Sequence, residues 1–85
     1  MEIIFSPRSL EDLQFWKQSG NIKIQKRIQK LLESIRDTPY EGIGKPEALK
    51  HNWSGYWSRR INDEHRLIYK SENEKIIIAQ MRSHY

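Results

Sequence analysis

The apolar positions of the chain fall into two rhythms. Ile24, Ile28, Leu31, Leu32 and Ile35 recur at helical spacing, with Lys23, Lys26, Arg27 and Lys30 on the other faces. This predicts an amphipathic helix, capped by Asn21 and stopped at Pro39, which pushes Thr38 out of the α region. An earlier helix is predicted from Pro7, a residue suited to a first turn, with Ser6 as its cap. Leu10, Leu13 and Trp16 would give it a buried stripe flanked by Phe15, and Gly20 would end it. Ahead of it, Glu2 to Ser6 reads as a strand. Its unbroken Ile3-Ile4-Phe5 run suggests a place inside a sheet rather than at the edge.

After Pro39 the period changes. Residues 39–46 hold two glycines and two prolines and read as a loop that delivers the chain to Glu47. Glu47 to His51 is a possible short strand and Asn52 to Gly55 a turn. From Tyr56 to Ile61 the side chains alternate, with Trp57, Arg59 and Ile61 on one side and Tyr56, Ser58 and Arg60 on the other. Asn62-Asp63-Glu64 reads as a hairpin turn, His65 to Lys70 as the next strand, Ser71 to Glu74 as a turn and Lys75 to Ser83 as the last strand. The order β-α-α-β-β-β predicts an α+β domain. Two N-terminal helices would pack on one face of a small, mostly antiparallel sheet and leave the other face free. No repeat or linker divides residues 1–85.

Charge adds a partner class. The net charge is +4 and the isoelectric point about 9.5, which favours nucleic acid or an acidic protein as ligand. There is no cysteine, so neither a disulfide nor a thiolate zinc site is expected. The opening MEIIFSPRS lacks the basic and apolar regions of a signal peptide. The longest apolar run, Ile76 to Ala79, is far too short for a membrane span. These features fit a cytoplasmic protein with no membrane partner.

The chemistry concentrates between Lys45 and Arg66. Lys45, Lys50, Arg59, Arg60 and Arg66 crowd together there with Trp53, Tyr56 and Trp57. Cations interleaved with aromatics suit a ligand of phosphates and bases, although Trp57 fits a core or interface position better. An RNA phosphodiester carries its own nucleophile, the 2′-hydroxyl. Its cleavage needs a base, an acid for the leaving 5′-oxygen and cations for the crowded phosphorane, with no metal or other cofactor. Glu47 is the candidate base; a surface ion pair with Lys50 is its alternative. Arg66 offers a planar fork for two phosphate oxygens, or a cross-strand ion pair. Lys45, Lys50, Arg59 and Arg60 are candidate phosphate contacts, Arg59 with strand parity opposite to Arg60. His51, His65 and His84 compete as the acid. No histidine–carboxylate pair has metal-ligand spacing on a helix, and no Gly-rich phosphate loop is present.

The stretch GKPEALKHNWSGYWSRRINDEHRLIY with its terminal His84-Tyr85 resembles the YoeB/Txe toxins of the RelE superfamily, over the whole chain. The resemblance implies a ribosome-dependent messenger-RNA endonuclease, an acidic YefM-like antitoxin partner and a tendency to dimerise. It implies Glu47 as general base, Arg66 as the transition-state arginine, His84 as general acid and Tyr85 as an orienting aromatic. It leaves His51 and His65 without a catalytic role. Two other readings fit the scaffold: a non-catalytic RNA- or ribosome-binding module, and a gyrase-poisoning toxin. The gyrase branch lacks the glutamate and terminal histidine present here. In a regular strand His84 and Tyr85 would face opposite ways, so a shared site requires the chain to leave strand geometry after about Arg82.

Overall fold

A computed structural model describes residues 1–83. His84 and Tyr85 lie outside the described residues. The elements are β1 (Glu2–Phe5), α1 (Pro7–Ser19), α2 (Ile22–Asp37), β2 (Glu47–Ala48), β3 (Trp57–Arg60), β4 (Arg66–Glu72) and β5 (Lys75–Gln80), with one 3-10 turn at His51–Trp53. The five strands form one sheet in the order β1-β5-β4-β3-β2. Among the described residues only β1 and β5 run parallel; the other three pairings are antiparallel.

α2 follows its apolar stripe. Ile24, Ile28, Leu31 and Ile35 are buried, and Asn21 accepts a hydrogen bond from the Ile24 amide. They pack with Trp16, Ile61, Leu67, Tyr69, Ile76, Ile78 and Met81 into the core between helices and sheet.

α1 departs from the expectation. Ser6 caps it and left-handed Gly20 ends it, as its sequence predicts. Its buried side, however, is Ser9, Asp12 and Trp16, while Leu10 is 53% exposed. Leu13 packs against the core as expected. Ser9 turns inward to donate to the Ser6 carbonyl, and Asp12 and Trp16 bind backbone groups beyond β5: Asp12 accepts from the Met81 amide and Trp16 donates to the Met81 carbonyl.

β1 is an edge strand, not an internal one. It pairs only with β5, and its apolar run splits, with Ile3 and Phe5 against the core and Ile4 exposed. A run of three apolar residues does not separate the two cases. The strand expected at Glu47–His51 covers only Glu47 and Ala48, because His51 takes φ 58° and opens the 3-10 turn. The last strand ends at Gln80 rather than Ser83. A bulge at Ala79 sets Ile68 opposite Gln80 and Tyr69 opposite Ile78. One extra residue changes the phase, so that Met81 joins Ile76 and Ile78 in the core.

The face away from the helices is not wholly free. Ile68 there is fully buried. Its same-face neighbours are Arg66 and Lys70 along the strand and Ser58 and Gln80 across it, and the stems of long polar side chains cover apolar surface. Among the described residues a cleft remains toward β2 and the β3–β4 turn.

Candidate active site

The site begins with a buried arginine. Arg59 is 0% exposed. Its Nε donates to the Tyr69 hydroxyl at 3.0 Å, Nη1 to Ser34 Oγ at 2.9 Å and the Ile43 carbonyl at 2.8 Å, and Nη2 to the carbonyls of Thr38 at 2.8 Å and Glu41 at 3.0 Å. A guanidinium has five N–H donors, and all are used. This corrects the placement of Arg59 among the phosphate contacts. Its charge is held by carbonyl and hydroxyl dipoles that leave nothing to offer a ligand. The arginine instead wraps residues 38–43 around itself. Tyr69 completes the wrap by donating to the Pro39 carbonyl. Burial raises the Tyr69 pKa above its ordinary value, against the lowering effect of the hydrogen bond and charge of Arg59.

The wrapped loop leads to Gly44, at φ 83°. Its carbonyl accepts from the Arg60 amide at 2.7 Å, and a Cβ there would come within 2.7 Å of Leu31 Cδ2. Docked this closely, the loop sets Lys45-Pro46-Glu47 beside β3. Glu47 pairs with Ser58 across the β2–β3 ladder, and Arg60 pairs with Arg66 across β3–β4. Directly opposed residues share a face, as do residues two apart. Glu47, Ser58, Arg60 and Arg66 therefore project together. With Lys45 and Pro46 they line a cleft of about 290 Å³.

Two arginines directly opposite one another are unusual. The Arg60 amide bonds to the Gly44 carbonyl and the Arg66 amide to the Ser83 carbonyl, so each turns away from the other. Theirs is the close, non-hydrogen-bonded kind of antiparallel pair, with Cα atoms about 4.5 Å apart. Like charges so placed are destabilising, and an anion between them would reverse the sign. Arg66 is partly tethered: its Nη1 donates to the carbonyls of Asn62 at 2.6 Å, Asp63 at 3.3 Å and His65 at 3.1 Å. Among the described residues its Nε and Nη2 have no protein partner, so one edge of the fork is available.

The other candidates spread around this cleft. Lys50 and His51 are exposed on the far side of Glu47, where both line a shallow groove with Ala48 and Leu49. Trp57 packs against the core and on Tyr40, as expected of a structural tryptophan. Trp53 meets Tyr56 edge to face with centroids 5.1 Å apart, and Lys70 Nζ lies 5.2 Å from the Tyr56 ring. The pKa of Lys70 is raised, first by its hydrogen bond to Glu72 and then by the charges of Tyr56 and Glu72. His65 turns toward α1 instead of the cleft. Its ring stands edge-on to Trp16 at 4.9 Å, and Nδ1 accepts from the Ser83 amide at 2.8 Å.

The expected acid His84 and its neighbour Tyr85 lie outside the described residues. The chain leading to them has left strand geometry by Met81, and Ser83 takes φ 70°. The cleft also contains Ser58, which the motif reading passes over; its parity with Arg60 is the signal. A larger groove of about 590 Å³ borders α2, with Lys23, Lys26, Arg27 and Lys30 around Ile24 and Ile61. It can attract an anion, but among the described residues no carboxylate or imidazole lines it. Among the described residues no cluster of three His, Cys, Asp or Glu could hold a metal ion, and no helix is long and apolar enough to cross a membrane.

Comparison with known proteins follows the same lines. The profile of the YoeB-like toxins of bacterial type II toxin–antitoxin systems matches residues 5–85. Toxin YoeB of Escherichia coli K12 is 47% identical over 85 residues, covering all of both chains. A solved YoeB–YefM complex from Staphylococcus aureus superposes with a TM-score of 0.89 at 49% identity, covering 100% of this chain and 98% of that one. A YoeB dimer from the same organism gives 0.90 at 48% identity, with the same coverage.

Proposed function

The chain belongs to the YoeB family of toxins from bacterial type II toxin–antitoxin systems, and on that premise we propose that it is a ribosome-dependent endoribonuclease that cuts messenger RNA and stops translation. The observation that carries this reading is the Arg60–Arg66 pair beside Glu47 in one cleft. A scissile phosphate between the arginines would relieve their repulsion. It would also bring the adjacent 2′-hydroxyl toward a carboxylate.

In this reading Glu47 removes the 2′-hydroxyl proton as the 2′-oxygen bonds to phosphorus. Arg66 and Arg60, with Lys45 at the rim, neutralise the phosphorane; such electrostatic stabilisation is often the largest catalytic contribution. The bond from phosphorus to the 5′-oxygen breaks, and the leaving oxygen takes a proton. His84 is the donor by resemblance to the family, and Tyr85 orients the substrate on the same ground. The products are a 2′,3′-cyclic phosphate and a 5′-hydroxyl. RNA supplies the nucleophile, so the step requires no metal. Lys50 would contact a flanking phosphate.

An acidic YefM-like antitoxin is the proposed partner. A YefM-type chain binds the S. aureus relative, and the +4 charge of this chain suits an acidic ligand. A homodimer is proposed from the S. aureus YoeB dimer. The place of action would be the cytoplasm, where the ribosomes are.

The test is single-turnover cleavage of a ribosome-bound message, with the new ends mapped. Glu47→Ala should lose about 10²–10⁴-fold. A 2′-deoxy residue at the cut should stop cleavage while binding persists. His84→Gln should cost about as much as Glu47→Ala. Products bearing 5′-phosphates, or full activity of Glu47→Ala, would overturn the mechanism. Binding without any cleavage would leave a non-catalytic ribosome-binding module.

A further inference from the structure

β5 ends at Gln80, yet the next three residues do not trail away from the fold. Polar side chains of α1 and of the β3–β4 turn hold them one after another. Asp12 Oδ2 accepts from the Met81 amide at 2.9 Å, and Trp16 Nε1 donates to the Met81 carbonyl at 2.8 Å. An Nη of Arg8 donates to the Arg82 carbonyl at 3.3 Å. His65 Nδ1 accepts from the Ser83 amide at 2.8 Å, and the Arg66 amide closes the series by donating to the Ser83 carbonyl at 3.0 Å.

We propose that Asp12, Trp16 and His65 are positioning residues: they clasp the backbone of residues 81–83 and so fix the point from which the chain continues to His84, the acid of the proposed mechanism. The inference rests on the endoribonuclease reading above and extends it to residues outside the cleft.

Three features separate this clasp from ordinary packing. Its bonds go to backbone amides and carbonyls, which fixes the path of the segment whatever its side chains are. It is chemically expensive. Asp12 is 3% exposed, and a buried carboxylate is costly unless fully paired; here Arg8 Nε reaches both of its oxygens at 3.1 Å. An apolar residue at position 12 would pack a small domain at less cost. Lastly, the clasp reaches the cleft directly. Ser83 is held at its amide by His65 and at its carbonyl by Arg66, and the carbonyl is the group from which His84 continues. The side chain of Arg66 lines the cleft, so one residue ties Ser83 to the phosphate site. An accepting Nδ1 also requires the His65 proton to sit on Nε2, which is 3.8 Å from Glu64 Oε2.

The test uses the full-length protein in the same single-turnover assay. His65→Phe keeps a ring against Trp16 but removes the acceptor for Ser83. Trp16→Phe keeps an aromatic ring but removes the donor to Met81, and is read on the same criteria if His65→Phe does not fold. Each should slow cleavage by roughly 10–100-fold, the scale of a small misplacement of a reacting group, with ribosome affinity changed less than about twofold. His65→Asn, whose side-chain oxygen sits near the Nδ1 position, should recover most of the rate. The same substitutions made on His84→Gln should cost nothing further, because the group they aim is already gone. A purely structural role would lower the rate equally in both backgrounds, and that result overturns the clasp. An unchanged rate in His65→Phe and Trp16→Phe overturns it as well. If the wild type itself does not cleave, the endoribonuclease reading falls and takes the clasp with it; a cleaving wild type beside equally fast variants removes the clasp alone.

Discussion

Arg59 and Arg60 are neighbours on β3 with opposite tasks. Arg59 has five hydrogen bonds and no exposure, while Arg60 is exposed across from Arg66. Arg59→Lys keeps the charge but loses the planar fork, and a lysine has at most three donors. At least two carbonyl or hydroxyl partners are then stranded, at an expected cost of roughly 2–4 kcal/mol. Arg66→Ala removes one half of a repelling pair along with its tether to the turn, and should change stability by less than about 1 kcal/mol while abolishing cleavage. Thermal or urea unfolding of the two variants checks the contrast. Equal losses would make Arg66 a structural residue and take the clamp out of the proposed mechanism. Alternation along β3 made it legible that the two arginines point opposite ways. It did not make legible that one of them is saturated, because three of its five acceptors are backbone carbonyls of residues 38–43, which leave no mark in side-chain sequence.

At the level of elements, the strongest periodic signals were the reliable ones. α2 buries Ile24, Ile28, Leu31 and Ile35 of the stripe its spacing names and half-buries Leu32. α1 does so only in part: Trp16 is buried and Leu13 packs against the core, but Leu10 is exposed, because Ser9 and Asp12 turn inward to bind the Ser6 carbonyl and the chain past β5. A hydrophobic pattern has no means of announcing a polar group that is buried to serve a distant amide. The same limit applies to the bulge at Ala79 and to the end of β5 at Gln80, three residues before the pattern ends. The loop before β2 offers a sharper test, since Gly44 and Gly20 both have positive φ but different surroundings. At Gly20, φ 72°, an added Cβ meets nothing within 4 Å, so Gly20→Ala should carry only the left-handed penalty of about 1–2 kcal/mol. At Gly44, φ 83°, the Cβ would also meet Leu31 Cδ2 at 2.7 Å, Arg59 Cβ at 3.2 Å and the Arg60 carbonyl at 3.3 Å. Gly44→Ala should cost about 1–3 kcal/mol more than Gly20→Ala, the range for overpacking. It should also slow cleavage, since the residue leads straight to Lys45-Pro46-Glu47; Gly20→Ala should leave cleavage unchanged. Equal effects on stability and cleavage would mean that the loop is not rigidly docked on β3.

Two titratable properties act on the molecule as a whole. The first is the Tyr69 phenol, which joins Arg59 to the Pro39 carbonyl. Burial raises its pKa above the ordinary 10.0. The folded state therefore holds this proton when the unfolded chain has begun to lose it. The contribution to stability is complete below the unfolded value and is lost as pH rises through the folded one. The thermal midpoint should decline more steeply above about pH 10 in the wild type than in Tyr69→Phe, which starts lower but lacks this titration; parallel curves would remove Tyr69 as the cause. The second property is the positive field. The chain carries +4 overall, but only cations that touch phosphates release counterions from RNA on binding. With Arg59 saturated, four candidates remain: Lys45, Lys50, Arg60 and Arg66. Each contact on single-stranded RNA contributes about −0.7 to the slope of log K against log salt, so a slope near −2.8 is expected for an oligonucleotide in monovalent salt. Arg60→Gln and Lys50→Gln should each make it shallower by about 0.7. A flat salt dependence would remove the phosphate cleft altogether. A steep slope that neither substitution alters would move the phosphate track to the groove along α2, where Lys23, Lys26, Arg27 and Lys30 stand together. Lys26→Gln would then change the slope where Arg60→Gln had not.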